Sequence, residues 1–148
     1  MIKVNSINLS GNEKKYVNEC IKENWISSGG KFHSLFEKKI KTLIKKKYAI
    51  SVTNGTAALE AAIQSLNLKK GGEIILPSFT IISCANAIIK NGLTPVPVDC
   101  NFDDWNMNID QVKKKINNNT KAVMVVHIYG LASNIKEIVK LKKKYKFK

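Results

Sequence analysis

The sequence predicts an α/β fold in which a mostly parallel sheet is flanked by helices. From residue 48 onward, short apolar runs alternate with helix-like segments four times, at a spacing of about 25 residues. The runs are continuously apolar, which is typical of parallel strands whose two faces are both covered. Hydrophobic residues make up 44% of the 148-residue chain, enough for a buried core.

The predicted elements follow one another in a regular order. Residues 1–33 contain one weakly amphipathic helix, NEKKYVNECIKEN, and then the glycine-rich turn WISSGG. The helix SLFEKKIKTLIKKK, with its apolar residues on one face, begins a second region, residues 34–148. Four strand–helix pairs follow: YAISV with TAALEAAIQSLN, EIILP with IISCANAIIKN, TPVPVD with NIDQVKKKIN, and KAVMVVHIY with SNIKEIVKLKKKY. The KKK runs lie near predicted helix ends, where cations suit the helix dipole.

The composition argues against several classes of protein. The formal net charge is +14, but all 25 basic residues are lysines, and arginine is the usual reader of phosphates and bases. We therefore interpret the charge as solvated surface and expect no nucleic-acid partner. Three cysteines without metal-ligand spacing predict a reduced, cytoplasmic protein with no metal site, and no apolar run is long enough to predict a membrane partner.

Ligands of open α/β sheets collect at the carboxyl ends of the strands, and one such turn is suited to an anion. Gly55 permits a sharp bend and close approach of a ligand. Thr56 is a candidate helix cap, and the amides of Thr56, Ala57 and Ala58 are expected to point outward, toward an anion at the helix start. The alternative interpretation is an ordinary capped helix, since the P-loop and G-x-G-x-x-G patterns are both absent.

The other turns at this edge contribute further candidates. Phe79 follows the second strand, where an aromatic ring suits stacking on a flat heteroaromatic ligand, or else is a core side chain. His127 is expected to end a buried strand, either as a titrating group or as a hydrogen-bonded structural one. Asp99 is expected to cap a turn, and Trp105 to cover the helix that follows it.

Five segments together resemble one known family. SGNEKKYVNECIKENWISSGGKFHSLFEKKI, AISVTNGTAALEAAI, EIILPSFTIISCANAI, TPVPVDC and VVHIYG occur in this order and spacing in the DegT/DnrJ/EryC1/StrS sugar aminotransferases, and the first is most similar to GDP-perosamine synthase-like members. The resemblance implies the large domain of a fold-type-I pyridoxal-phosphate enzyme, of which this chain is the amino-terminal part. It also implies transfer of an amino group, usually from glutamate, to a nucleotide-linked keto-deoxysugar, by a homodimer when the protein is full length.

The resemblance assigns roles to residues of this chain. Gly55, Thr56 and Ala57 match the family's Gly-Thr/Ser-Ala turn, which implies that they hold the phosphate of pyridoxal 5'-phosphate (PLP). Phe79 matches the aromatic residue that stacks on the pyridine ring.

Weaker assignments follow for the substrate and for the reactive lysine. Ser27, Ser28 and Gly29 lie in a loop that the resemblance places near the active site, and His127 matches an H-x-Y-G motif near that site. The family's Schiff-base lysine and the acidic partner of the pyridine nitrogen are expected beyond Lys148, so no catalytic residue is assigned here and the chain alone is expected to be inactive. Two alternatives remain: a PLP-dependent sugar dehydratase of the same family, or a non-catalytic truncated protein.

Overall fold

A computed structural model of the chain describes residue 2 and residues 6–27 and 29–148. The chain divides into two compact units, Met1–Ser51 and Val52–Lys148. Within the described residues, no helix is both long enough and apolar enough to cross a membrane.

The amino-terminal unit is built from two helices, α1 (Glu13–Lys22) and α2 (Lys31–Leu43). Both are amphipathic as predicted, but neither contains a buried residue. The two helices meet through aromatic rings, since the ring centroids of Tyr16 and Phe32 lie 4.9 Å apart. Lys31 at the start of α2 forms ion pairs with the carboxylates of Glu19 and Glu23.

The strand predicted at residues 48–52 is not formed, so that prediction is wrong for this structure. A strand requires a neighbour for its backbone hydrogen bonds, and the described residues provide none for this segment. Its side chains are accordingly open, with Ile50 84% exposed. Ser51 is instead tied to α2, because its amide and its hydroxyl each donate to Glu37 Oε1 at 2.8 Å.

The second unit contains the sheet. Its elements are α3 (Gly55–Ser65), β1 (Glu73–Pro77), α4 (Ile82–Lys90), β2 (Thr94–Val98), α5 (Ile109–Lys115), β3 (Thr120–Val123), a 3-10 turn (Ile128–Gly130) and α6 (Ile135–Tyr145). The three strands are parallel in the order β2–β1–β3, which confirms the predicted class of fold. The prolines of β2 are accommodated because this strand lies at an edge of the described sheet.

The central strand β1 separates two apolar clusters. Ile74 and Leu76 point to one face, where they meet buried side chains of α3 and α4. Ile75 points to the other face, into a cluster with side chains of α5 and α6. This alternation explains why the strand is apolar throughout, since both of its faces are covered by helices. This packed sheet carries the loops at the carboxyl ends of the strands.

Candidate functional site

The start of α3 is capped by Asn54. This residue is in extended conformation, and its Oδ1 accepts a hydrogen bond of 2.9 Å from the amide of Ala57. The amide of Ala58 donates to the Asn54 carbonyl at 3.1 Å. Asparagine is among the best N-cap residues because its short side chain reaches the free amides of the first turn. The expectation that Thr56 caps this helix is therefore wrong.

The open amides at the start of α3 are those of Gly55 and Thr56. Within the described part of the chain neither donates to a protein acceptor, whereas Ala57 and Ala58, expected to be open, are both bonded to Asn54. A Cβ added at Gly55 would meet no atom of a more distant residue within 4 Å, so the side-chain position of Gly55 is open. Two donors, an open side-chain position and the positive end of a helix dipole are together suited to an anion.

The hydroxyl of Thr56 extends this site toward α4. Thr56 Oγ1 donates to Ser83 Oγ at 3.0 Å, and Ser83 lies in the first turn of α4. Lys90, the last residue of α4, forms an ion pair of 2.7 Å with Glu60 in the middle of α3. The two helices are thus joined at two places. Sequence reasoning missed Ser83, because a contact between residues 27 positions apart leaves no local pattern.

Phe79 lies at the carboxyl end of β1 in an aromatic cluster with Trp105 and Tyr129. Its ring centroid is 5.2 Å from that of Trp105 and 6.5 Å from that of Tyr129, both in tilted arrangements. Phe79 is 37% exposed, so it is not the core side chain that was the alternative interpretation. Trp105 was expected to cover the next helix, but it is 53% exposed and its ring faces this cluster. A hollow of about 400 Å³ lies between the rings, with Asp104 at its edge.

A polar network holds the loop that carries Trp105. The amide of Asn106 donates to Asp104 Oδ1 at 3.0 Å, and the side-chain amide of Asn101 donates to the same oxygen at 3.1 Å. These bonds stabilise the charged form, so they lower the pKa of the Asp104 carboxyl, with the Asn106 amide as the larger cause. Asn106 is buried and accepts a hydrogen bond of 2.7 Å from Ser133 Oγ. The loop is therefore anchored inside the unit.

His127 takes a structural position. The expectation that it ends a buried strand is wrong, because β3 ends at Val123 and His127 is exposed. Its Nδ1 accepts a hydrogen bond of 3.1 Å from the amide of Ser133, which fixes the ring against the segment after the 3-10 turn. Within the described part of the chain, no hydrogen bond joins His127 to Thr56.

The remaining candidates lie in the amino-terminal unit. Ser27 and Gly29 are both exposed, and Ser28 falls outside the described residues. Within the described ranges, no group of three histidine, cysteine or carboxylate side chains is suited to a metal ion. No lysine lines the hollow beside Phe79 among these residues.

Comparison with known proteins places this geometry in a family. The model of the DegT/DnrJ/EryC1/StrS aminotransferase family matches residues 8–148. The chain is 42% identical over 138 residues to the GDP-perosamine synthase of Vibrio cholerae, covering 93% of this chain and 38% of that protein. The chain thus spans less than half the length of this curated relative.

Solved structures share the fold. A Bacillus subtilis protein, NtdA, with bound cofactor PMP, superposes with a TM-score of 0.84 and 28% identity, covering 91% of this chain and 32% of that one. The Escherichia coli GDP-4-keto-6-deoxy-D-mannose-3-dehydratase with bound hydrated PLP superposes with a TM-score of 0.86 and 25% identity, covering 96% of this chain and 38% of that one.

Proposed function

This chain belongs to the DegT/DnrJ/EryC1/StrS aminotransferase family, and from that premise we propose that it forms the phosphate-binding side of a PLP site. The reaction proposed for the whole protein is transfer of an amino group from an amino acid, with glutamate as the first candidate, to a nucleotide-linked keto-deoxysugar. A GDP-linked sugar is the first candidate substrate because the 42% identical relative is named a GDP-perosamine synthase.

One observation carries the proposal: the amides of Gly55 and Thr56 at the start of α3 have no acceptor among the described residues, and the side-chain position of Gly55 is open. The phosphate of PLP is a doubly charged anion, and helix starts of this kind bind such groups through hydrogen bonds and the helix dipole. The open side-chain position of Gly55 is proposed to admit the phosphate oxygens, and Asn54 caps the first turn through the amide of Ala57. The residues present therefore fit the cofactor.

Each residue of the site has a separate task. The amides of Gly55 and Thr56 donate to the phosphate, whereas the single hydroxyl hydrogen of Thr56 is donated to Ser83 Oγ and holds the starts of α3 and α4 together. The amide of Ala57 donates to Asn54, so it is not available to the phosphate. The role proposed for Ala57 is that its small side chain leaves space for the cofactor. Phe79 covers one face of the pyridine ring by stacking. When bound, PLP supplies the electron sink that amino transfer requires.

Substrate contacts and assembly complete the proposal. Ser27, Ser28, Gly29 and His127 are proposed to contact the sugar substrate. None of the 25 lysines in this sequence is assigned as the lysine that forms the Schiff base with PLP. The whole protein is proposed to be a homodimer.

The phosphate site is tested by calorimetric titration of the 148-residue chain with pyridoxamine 5'-phosphate and with pyridoxamine. The amine form is used because the aldehyde of PLP reacts with surface lysines. The phosphate form is expected to bind more tightly, and Thr56→Asp is expected to lower its affinity by about tenfold or more, because a carboxylate then faces the phosphate.

Thr56→Ser is the matched control, because it keeps the hydroxyl and the amide. Its affinity for pyridoxamine 5'-phosphate is expected to stay within about twofold of the parent, a difference below 0.5 kcal/mol at 1.4 kcal/mol per factor of ten. Equal affinities for the two ligands in the parent chain, or an unchanged affinity in Thr56→Asp, would show that the start of α3 is only a capped helix.

A second candidate reaction is dehydration of the sugar, because a dehydratase shares this fold with a TM-score of 0.86 over 96% of this chain. The two reactions differ in the fate of the amino donor. With isotopically labelled glutamate and a GDP-linked keto-deoxysugar, the whole protein is expected to transfer the labelled nitrogen to the sugar. A sugar product that has lost an oxygen and gained no nitrogen would identify the dehydratase.

A further inference from the structure

We propose that Trp105 is a positioning residue that holds the ring of Phe79 in the orientation in which it covers the cofactor. The inference rests on the proposed function, because it concerns the aromatic side chain assigned to stacking. Trp105 itself is assigned no contact with cofactor or substrate. Its action passes through the ring of Phe79, 5.2 Å away between centroids.

The first argument is the position of Phe79. This side chain projects from a loop directly after β1 and is 37% exposed, so core packing leaves part of its ring free. A ring that covers a ligand must be held before the ligand arrives, or its immobilisation weakens binding. The tilted contact with Trp105 supplies that restraint, since tilted aromatic pairs are favourable over a narrow range of geometry.

The second argument is the backbone of Trp105. Its φ of +57° lies in the left-handed region, which is unfavourable for a bulky side chain and persists only where the surroundings impose it. The surroundings here are specific. The amide of Trp105 donates to the Asn101 carbonyl at 3.1 Å, and the next residue, Asn106, is buried and bonded to Ser133 and Asp104. The anchored loop thus points an exposed indole at Phe79.

Tyr129 is the second aromatic neighbour of Phe79. Its backbone is also left-handed, at φ +49°, but its side chain is 91% exposed and its ring lies farther from Phe79, at 6.5 Å. The closer and less exposed neighbour is Trp105. The positioning role is therefore assigned to Trp105 and not to Tyr129.

The contact is tested first without any ligand. The sequence contains two tryptophans, so the Trp25→Phe background leaves Trp105 as the sole indole. In that background Phe79→Ala is expected to reduce the near-ultraviolet circular dichroism of Trp105 and to shift its emission. Phe102→Ala is the matched control, because Phe102 lies in the same loop as Trp105 but is 91% exposed. Identical spectra in the Phe79→Ala and parent chains would overturn the inference.

The role is tested next by a double-mutant cycle on the affinity for pyridoxamine 5'-phosphate. Trp105→Ala is expected to lower the affinity by roughly threefold to tenfold, the range for loss of one aromatic pair. Trp105→Phe is expected to restore it to within about twofold, because a ring is retained. In a Phe79→Ala background, Trp105→Ala is expected to add less than about twofold, because its effect passes through Phe79.

The outcomes separate this inference from the proposed function. If Phe79→Ala weakens binding but Trp105→Ala does not, or if the two effects are additive, the positioning role is wrong and the cofactor site stands. If neither Phe79→Ala nor Thr56→Asp changes the affinity, the proposed function is wrong, and the positioning role is overturned with it.

Discussion

Replacing Gly55 with alanine tests whether the start of α3 is a phosphate site or an ordinary capped helix, because a phosphate site predicts opposite effects on stability and on ligand affinity. Gly55 is the first residue of α3, its φ lies outside the left-handed region, and an added Cβ meets nothing within 4 Å. Alanine has the higher helix propensity and restricts the unfolded chain more. Gly55→Ala is therefore expected to stabilise the second unit by about 0.5 kcal/mol, which raises Tm by roughly 2–4 °C.

Binding is expected to change in the other direction. The new methyl group is expected to obstruct the phosphate that is proposed to bind the amides of Gly55 and Thr56. A hydrogen bond to a charged acceptor contributes about 1.5–3 kcal/mol, so loss of one such bond weakens pyridoxamine 5'-phosphate binding by about tenfold to a hundredfold. Thermal melts without ligand and calorimetric titrations with it measure the two effects on the same preparation.

Gly71→Ala is the matched control for this experiment. A Cβ at Gly71 also meets nothing within 4 Å, but the φ of +76° makes alanine unfavourable there. It is expected to lower stability by about 1 kcal/mol and to leave the affinity unchanged. The reasoning is refuted if Gly55→Ala binds pyridoxamine 5'-phosphate as tightly as the parent chain, because the space before α3 would then have no ligand to admit.

Two further predictions concern single side chains. Asn54→Asp keeps an equally good N-cap, so Tm is expected to stay the same or rise, while calorimetry is expected to show about tenfold weaker phosphate-ligand binding; equal affinity would contradict the site. The pKa of the Glu37 carboxyl is lowered from its ordinary value of 4.5 by hydrogen bonds from the Ser51 amide and hydroxyl, and then by His33. The stability that the charged Glu37 carboxylate contributes is therefore complete above pH 4.5, and it is lost as the pH falls through the lower pKa of the folded state. Hydrogen exchange of residues 31–51 is expected to show this loss of protection at low pH in the parent and not in Glu37→Gln; equal pH dependence in both would exclude the role.

Much of the fold could be predicted because the pattern along the chain is local. The central strand β1 coincides with the predicted EIILP, since a run that is apolar on both faces needs helices on both sides. The segment YAISV has the same local pattern but forms no strand. What differs is the neighbour: β1 pairs with β2 and β3, whereas the described residues offer residues 48–52 no partner. The hydrophobic pattern of a segment sets its preference for a β-strand, but the strand forms only where a neighbouring strand is available for pairing.

Some features of the candidate site could likewise be predicted from the sequence, and others could not. The turn at Gly55 and Thr56 was found because glycine, a hydroxyl and small residues at a strand-to-helix boundary are a local signal. The identity of the cap was missed because Asn54 and Thr56 are both good caps, and the helix boundary decides between them. The pairing of Phe79 with Trp105 has no local signal at all, since it depends on two loops that the sheet brings together.

Gly55 gives the strongest argument that the start of α3 serves a ligand. Of the five glycines in the second unit, Gly71, Gly92 and Gly130 have positive φ, and a Cβ at Gly72 would lie 3.0 Å from the Lys69 carbonyl. The fold therefore accounts for those four. Nothing in the conformation or packing of Gly55 calls for glycine, and alanine would favour the helix. The fold does not require glycine at position 55, but a ligand that must come close to the open amides of Gly55 and Thr56 does. A phosphate is such a ligand.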